Sequence, residues 1–191
     1  MKLLEEKILK EGQYLGNGIL KVDSFMNHQI DPALMKEIGI ELARHFKDLK
    51  PTRILTAESS GIAPALIAAI ELNVPLVYAR KNQPITMKGD PYKEKSESHT
   101  HKKAVELIVS SEYLHASDRV LIIDDFLATA RTILSLVGVV EQSGATLVGI
   151  GSVIEKIFEG GRDKLTHLGL PIISLARISS FDDDKIHFAQ D

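Results

Sequence analysis

The stretch "VLIIDDFLATART", Val120 to Thr132, decides how the chain is read. Four consecutive apolar residues, Val120 to Ile123, predict a strand buried on both faces. Two adjacent carboxylates, Asp124 and Asp125, stand at its carboxyl end. A loop of small residues follows, Ala128, Thr129, Ala130, Arg131 and Thr132. It leads into "TILSLVGVVEQSG", which reads as a helix closed by Gly144. Two opposite chemistries therefore lie a few residues apart. The acids can accept hydrogen bonds from hydroxyls or approach a metal ion. The loop and the free N–H groups of the helix N-terminus attract an anion, phosphate above all. A ribose 5-phosphate wants both, its ring hydroxyls on the acids and its phosphate in the loop. Without a ligand, the same acids would be a helix-capping pair or solvated surface charge.

Outward from this stretch, strands and helices alternate. "RILTA" (53–57), "PLVYA" (75–79), "AVELIVS" (104–110), "TLVGIGSVIE" (146–155) and "PIISLA" (171–176) are short apolar strands, while "GIAPALIAAIEL" (61–72) is a helix and a short one lies near "GGRDKLTHLG". In "DPALMKEIGIELARHFKDLK", Asp31 can cap a helix whose first turn suits Pro32, and Leu34, Ile38, Leu42 and Phe46 share one face. Asn17-Gly18 between apolar residues signals a hairpin, and the opening residues form a short amphipathic helix stopped at Gly12. The pattern predicts an α/β fold, a three-layer, mostly parallel sheet, as a single domain over 1–191 with a core at 31–180 and an annex at about 1–30. The polar gap from Arg80 to Lys103 is too long for a plain connection. It reads as an active-site loop closing over the strand ends.

Composition narrows the function. The chain has 191 residues, 44% hydrophobic and 26% charged, with a net charge of −3. Neither the pI near 6.2 nor any cluster of bases points to nucleic acid. No apolar run is long enough for a bilayer. Glutamates interrupt the leucines of "MKLLEEKILKEG", unlike a signal peptide, which favours the cytoplasm. The absence of cysteine excludes disulfides, thiolate nucleophiles and Cys-ligated metals. His99 and His101, beside lysines in "SHTHKK", read as solvated rather than as a metal pair.

"VLIIDDFLATART" resembles the PRPP-binding signature of the type I phosphoribosyltransferases. "ESSGI" (58–62) is similar to that family's pyrophosphate loop, and "YARK" (78–81) to the segment that turns basic residues toward pyrophosphate. "GNGILKVDSFMNHQID" and "SVIEKIFEGG" are similar to its xanthine-using branch. The resemblance implies transfer of the phosphoribosyl group of PRPP to a purine base in salvage. Asp124 and Asp125 are then the catalytic acids on the ribose hydroxyls. Ala128 to Thr132 hold the 5-phosphate, and Ser59, Ser60, Gly61, Arg80 and Lys81 take pyrophosphate. It further implies Mg²⁺ carried with PRPP, no protein metal cage, a homodimer, and closure of 82–103, with Lys88, Lys93, Lys95, Lys102 and Lys103, over the polyanion. The family loop often reads Thr-Gly-Gly-Thr; here Ala130 and Arg131 stand in place of the glycines, which puts the loop's geometry in question.

The base falls to a hood formed by the N-terminal annex. Xanthine bears acceptor oxygens at C2 and C6, so donors are wanted: the amide of Asn27 and the ammonium of Lys156. Leu20 offers apolar cover and a backbone group, and Phe158 a ring to stack. Two alternatives stand beside this reading. One is a PRPP-sensing regulator of purine genes, for which a DNA-binding segment ahead of the core is expected and none is seen. The other is an adenine or hypoxanthine-guanine enzyme of the same family.

Overall fold

The computed structural model describes residues 1–97, 104–182 and 185–189. Helix α1 (Lys2–Glu11) is followed by a minimal antiparallel hairpin, β1 (Gln13–Tyr14) and β2 (Leu20–Lys21). Its turn carries Gly16, Asn17 and Gly18 at φ of 84°, 51° and 74°, the left-handed region in which Asn-Gly is at ease. A π-helical turn, Asp23–Asn27, leads to α2 (Pro32–Phe46). Asp31 caps α2 by accepting from the amides of Ala33 and Leu34, both at 3.1 Å.

Six strands form the central sheet. β3 (Arg53–Ala57), α3 (Ile62–Leu72) and β4 (Leu76–Ala79) come first, then β7 (Arg119–Leu127), α4 (Arg131–Ser143), β8 (Thr146–Lys156), β9 (Ile172–Asp182) and β10 (Lys185–Phe188). Their spatial order is β10-β9-β8-β7-β3-β4, parallel except for the antiparallel edge strand β10. Between them, β5 (Tyr92–Glu97) and β6 (Ala104–Val109) pair antiparallel in a separate ribbon. Isolated pairing of Arg80 with Ile108 joins that ribbon to the end of β4.

The strands feed two cores. On one face Ile54, Leu121 and Ile123 pack with Leu4 and Ile8 of α1, Ile38, Leu42 and Phe46 of α2, and Ala65 and Ala68 of α3. On the other, Leu55, Val120 and Ile122 meet Ile133, Leu136 and Val140 of α4 and Leu107 and Val109 of β6. Alternation along β3 and β7 thus buries both faces, which is why these segments read as unbroken apolar runs.

Two features depart from the sequence reading. The segment "AVELIVS" is a strand of the ribbon and not of the main sheet, because its partner is β5. The polar gap is not one long loop: Tyr92–Glu97 pairs along its length with Ala104–Val109. Gln142 of α4 straps this ribbon down, donating to Lys93 O at 2.9 Å and accepting from Lys93 N at 3.2 Å. His99, His101, Lys102 and Lys103 lie outside the described residues.

Candidate active site

The chain winds outward from β3 in one direction to β4, then returns and winds the other way through β7, β8 and β9. The direction reverses between β3 and β7, and the carboxyl ends of strands flanking such a reversal form a ligand crevice. The loop Glu58–Gly61 follows β3 there, and the loop Ala128–Ala130 follows β7. The sheet therefore brings together two of the predicted segments that lie about seventy residues apart in sequence.

Asp124 is buried, 4% exposed, in register with Ser152 on β8. Burial and the neighbouring charge of Asp125 push its carboxyl well above the ordinary aspartate range, and the positive charge of Lys81 acts against them. Burial also raises Asp125, opposed by the Phe126 amide, which donates to its Oδ1 at 3.0 Å, and by the Ser60 hydroxyl. Two acids are held in a low-dielectric crevice with less compensating positive charge than they need. Hydroxyl donors or a cation would stabilise them.

Gly61 backs Asp124: a Cβ on the glycine would stand 3.0 Å from Asp124 Oδ1 and overlap Thr56 Oγ1. Ser59 is exposed and Ser60 half-buried beside it, and the Glu58–Ser59 peptide is cis. Glu58 ties this loop to the end of β4 by accepting from the Lys81 amide at 2.6 Å. The two basic residues there part company. Lys81 is exposed and its charge reaches Asp124, whereas the Arg80 guanidinium lies over the Tyr78 ring, 5.9 Å from its centroid. Arg80 also lines a recess of about 360 Å³ along the edge strand.

In the loop after β7, Ala130 sits at φ 64° and ψ 11°, left-handed, immediately before the first turn of α4. This is the conformation that a glycine would adopt freely. Arg131 is exposed and Thr132 half-buried at the start of the helix.

The residues expected at the base divide. Lys156, at the last position of β8, donates to Gly18 O at 3.0 Å, pairs with Glu159 at 2.5 Å and lies 5.9 Å from the centre of the Phe126 ring. It joins the core to the hairpin turn. Phe158 is half-exposed, edge-on to Phe181 at 5.5 Å; Phe181 in turn stacks on Tyr14 at 4.3 Å. Tyr14, Gly18, Phe158, Ser180 and Phe181 enclose a recess of about 280 Å³. Leu20 is 8% exposed with its side chain in the core, so it offers no apolar cover to a ligand. Asn27 is exposed at the end of the π-helical turn. Tyr14, Phe126, Glu159 and Phe181 were not read from sequence; aromatic and acidic residues of this kind gain meaning only once the hairpin meets the strand ends.

Among the described residues no group of three or more His, Cys, Asp or Glu could hold a metal ion by itself, and no helix is long and apolar enough to cross a membrane.

Residues 26–171 match the phosphoribosyl transferase domain family. Over 191 residues the chain is 53% identical to the xanthine phosphoribosyltransferase of Geobacillus thermodenitrificans, covering 100% of this chain and 98% of that one. It is 50% identical over 190 residues to the enzyme of the same name from Bacillus cytotoxicus, covering 100% and 96%. In structure it resembles the adenine phosphoribosyltransferase of Trypanosoma brucei, solved with AMP, pyrophosphate and ribose-5-phosphate. That likeness has a TM-score of 0.72 at 25% identity, over 91% of this chain and 79% of that one. With the crevice at the sheet's reversal point and these likenesses together, the chain belongs to the phosphoribosyltransferase family.

Proposed function

We propose that this chain transfers the 5-phosphoribosyl group of PRPP to xanthine, giving xanthosine 5′-monophosphate and pyrophosphate, as a cytoplasmic enzyme of purine salvage. The observation that carries the reading is the acid pair near the carboxyl end of β7, Asp124 buried against Gly61 of the loop after β3 and Asp125 half-buried beside it. The full-length likeness to two xanthine phosphoribosyltransferases supports the choice of base.

In this reaction a ring nitrogen of the base bonds to C1 of the ribose as the C1–O bond to pyrophosphate breaks. Positive charge builds on the sugar and negative charge leaves with pyrophosphate. Asp124 and Asp125 accept the 2- and 3-hydroxyls and set negative charge beside the cationic ring, where water is scarce and the interaction strong. Ala128 to Thr132 hold the 5-phosphate at the amino end of α4. Ser59, Ser60, Gly61 and Lys81 receive pyrophosphate, with Arg80 at the same strand end. Residues 1–30 form a hood over the base, with the Lys156 ammonium and Asn27 amide donating to its oxygens and Phe158 offering its ring. Leu20 acts there through its backbone, since its side chain is committed to the core. Residues 82–103 close over the polyanion and exclude water, on the ribbon that Gln142 straps to α4 at Lys93.

Mg²⁺ fits this arrangement, because Asp124, raised by burial and by the charge of Asp125, and Asp125, raised by burial, would be relieved by a cation brought in on the substrate. Bound with PRPP, it supplies charge neutralisation at pyrophosphate. A homodimer completes the proposal.

Mixing the protein with PRPP, Mg²⁺ and xanthine and following pyrophosphate release tests the function. Release that requires xanthine supports it; no release with any base contradicts it.

A further inference from the structure

The phosphate loop lacks the family's two glycines, yet Ala130 holds the left-handed conformation of one. The loop's backbone is shaped from outside. Behind it lies the turn after β8, where Gly160 and Gly161 do different work. Gly160 has φ 67° and nothing within 4 Å of a would-be Cβ, so it is needed for its conformation. Gly161 has no such φ and is needed for room. A Cβ there would overlap the carbonyl of Ala128 and stand 2.8 Å from the amide nitrogen of Ala130. Its bare Cα thus lies directly against the loop.

The turn cannot give way easily. Arg162, the next residue, clasps buried Glu155 with Nε to Oε1 at 2.8 Å and Nη2 to Oε2 at 2.6 Å, and donates to Ile172 O at 2.9 Å. Glu155 belongs to β8, in register with Leu127 of β7, the residue before the loop. From the same turn, Lys164 donates to Thr129 O at 3.2 Å. The loop is therefore bounded at three consecutive residues, Ala128, Thr129 and Ala130, by one turn anchored to the strand beside it.

We propose that Gly161, with Arg162 and Lys164, positions the 5-phosphate loop. The glycine that gives this loop its shape lies on the neighbouring turn and not in the loop. The proposal rests on the assignment of Ala128 to Thr132 as the phosphate site. Gly161, Arg162 and Lys164 are positioning residues; they act through the loop's backbone.

The test is Gly161→Ala, read by substrate kinetics and by amide exchange over residues 128–132. Displacing the loop by about 1 Å should lower kcat/KM for PRPP about a hundredfold and leave the KM for xanthine within about twofold. Exchange in 128–132 should rise with no substrate present. Adding Ala130→Gly, which frees the loop to move off the new methyl, should recover at least about tenfold. Lys164→Ala, at an exposed position that does not threaten the fold, should weaken PRPP several-fold. Wild-type PRPP kinetics and exchange in Gly161→Ala overturn the proposal. So does an equal loss on both substrates that Ala130→Gly leaves unrepaired. A wild-type protein that ignores PRPP defeats the proposed function instead, while the exchange data still decide whether Gly161 shapes the loop.

Discussion

Gly61, in the loop after β3, and Asp124, near the carboxyl end of β7, approach until a Cβ on the glycine would stand 3.0 Å from the aspartate's Oδ1. The loop after β3 and the carboxyl end of β7 are thereby mechanically linked. Gly61→Ala should displace Asp124 or the Ser59–Ser60 backbone and lower kcat/KM for PRPP by about a hundredfold. Its cost in stability should be only about 1–3 kcal/mol, the range for an overpacked methyl. Steady-state kinetics beside thermal unfolding separate the two effects.

Asp124→Asn should lower kcat about 10²–10³-fold, as expected where charge facing a transition state is removed. It should not lower the melting temperature at pH 7. The sign follows from the raised pKa. The folded state holds Asp124's proton more tightly than the unfolded state, so ionising it costs stability as pH rises from about 4 through the elevated value. The amide removes that slope. Thermal unfolding from pH 5 to 8 checks this: the difference between variant and wild type should move in the variant's favour as pH rises. A variant that loses stability steadily with pH would show Asp124's charge to be compensated in the free protein.

Glu155 behaves in the opposite sense. Burial raises its carboxyl, but hydrogen bonds from Arg162 and Ser174 and the charges of Arg162 and Arg177 outweigh it and hold it below the ordinary range. Its contribution is present above the usual glutamate pKa and lost as pH falls through the lower folded value. Glu155→Ala takes the carboxylate from the Arg162 guanidinium, leaving it Ile172 O and Ser174 Oγ as acceptors, and should cost about 3–5 kcal/mol. Calorimetry should record a drop in melting temperature of more than about 6 °C.

Lys156→Ala should raise the KM for xanthine roughly ten- to a hundredfold, the worth of one hydrogen bond from a charged donor. The KM for PRPP should stay nearly unchanged, because Gly18 and Glu159, not the phosphate loops, are its partners. Asn27→Ala should act on the same parameter and weaken discrimination against hypoxanthine, which lacks the C2 oxygen. A loss on PRPP alone would place Lys156 in the other half of the crevice.

Local signals carried much of this architecture. The apolar stretches of β3, β7 and β8 announced a sheet covered on both faces, and Asp31-Pro32 and Asn17-Gly18 marked a cap and a turn that the structure contains. Strand β5 was illegible because "YKEKSE" is charged at four of its six positions, three of them consecutive, and declares itself only through its partner β6 and the strap from Gln142. The edge strand β10 and the π-helical turn at 23–27 depend likewise on tertiary pairing. In the site, two adjacent acids before a helix form a local pattern. The clearance at Gly161 joins residues whose relation exists only after β7 and β8 pair, and the Arg162–Glu155 clasp forms only once the turn after β8 folds back on its strand. The stack of Tyr14, Phe181 and Phe158 needs the N-terminal hairpin and β9 to meet.

The central claim is the choice of base on a PRPP site. Equal concentrations of xanthine, hypoxanthine, guanine and adenine, competing for limiting PRPP with Mg²⁺, test it most directly when the nucleotide products are separated by mass. Xanthosine 5′-monophosphate should predominate. A predominance of any other nucleotide, or no nucleotide at all, would contradict it.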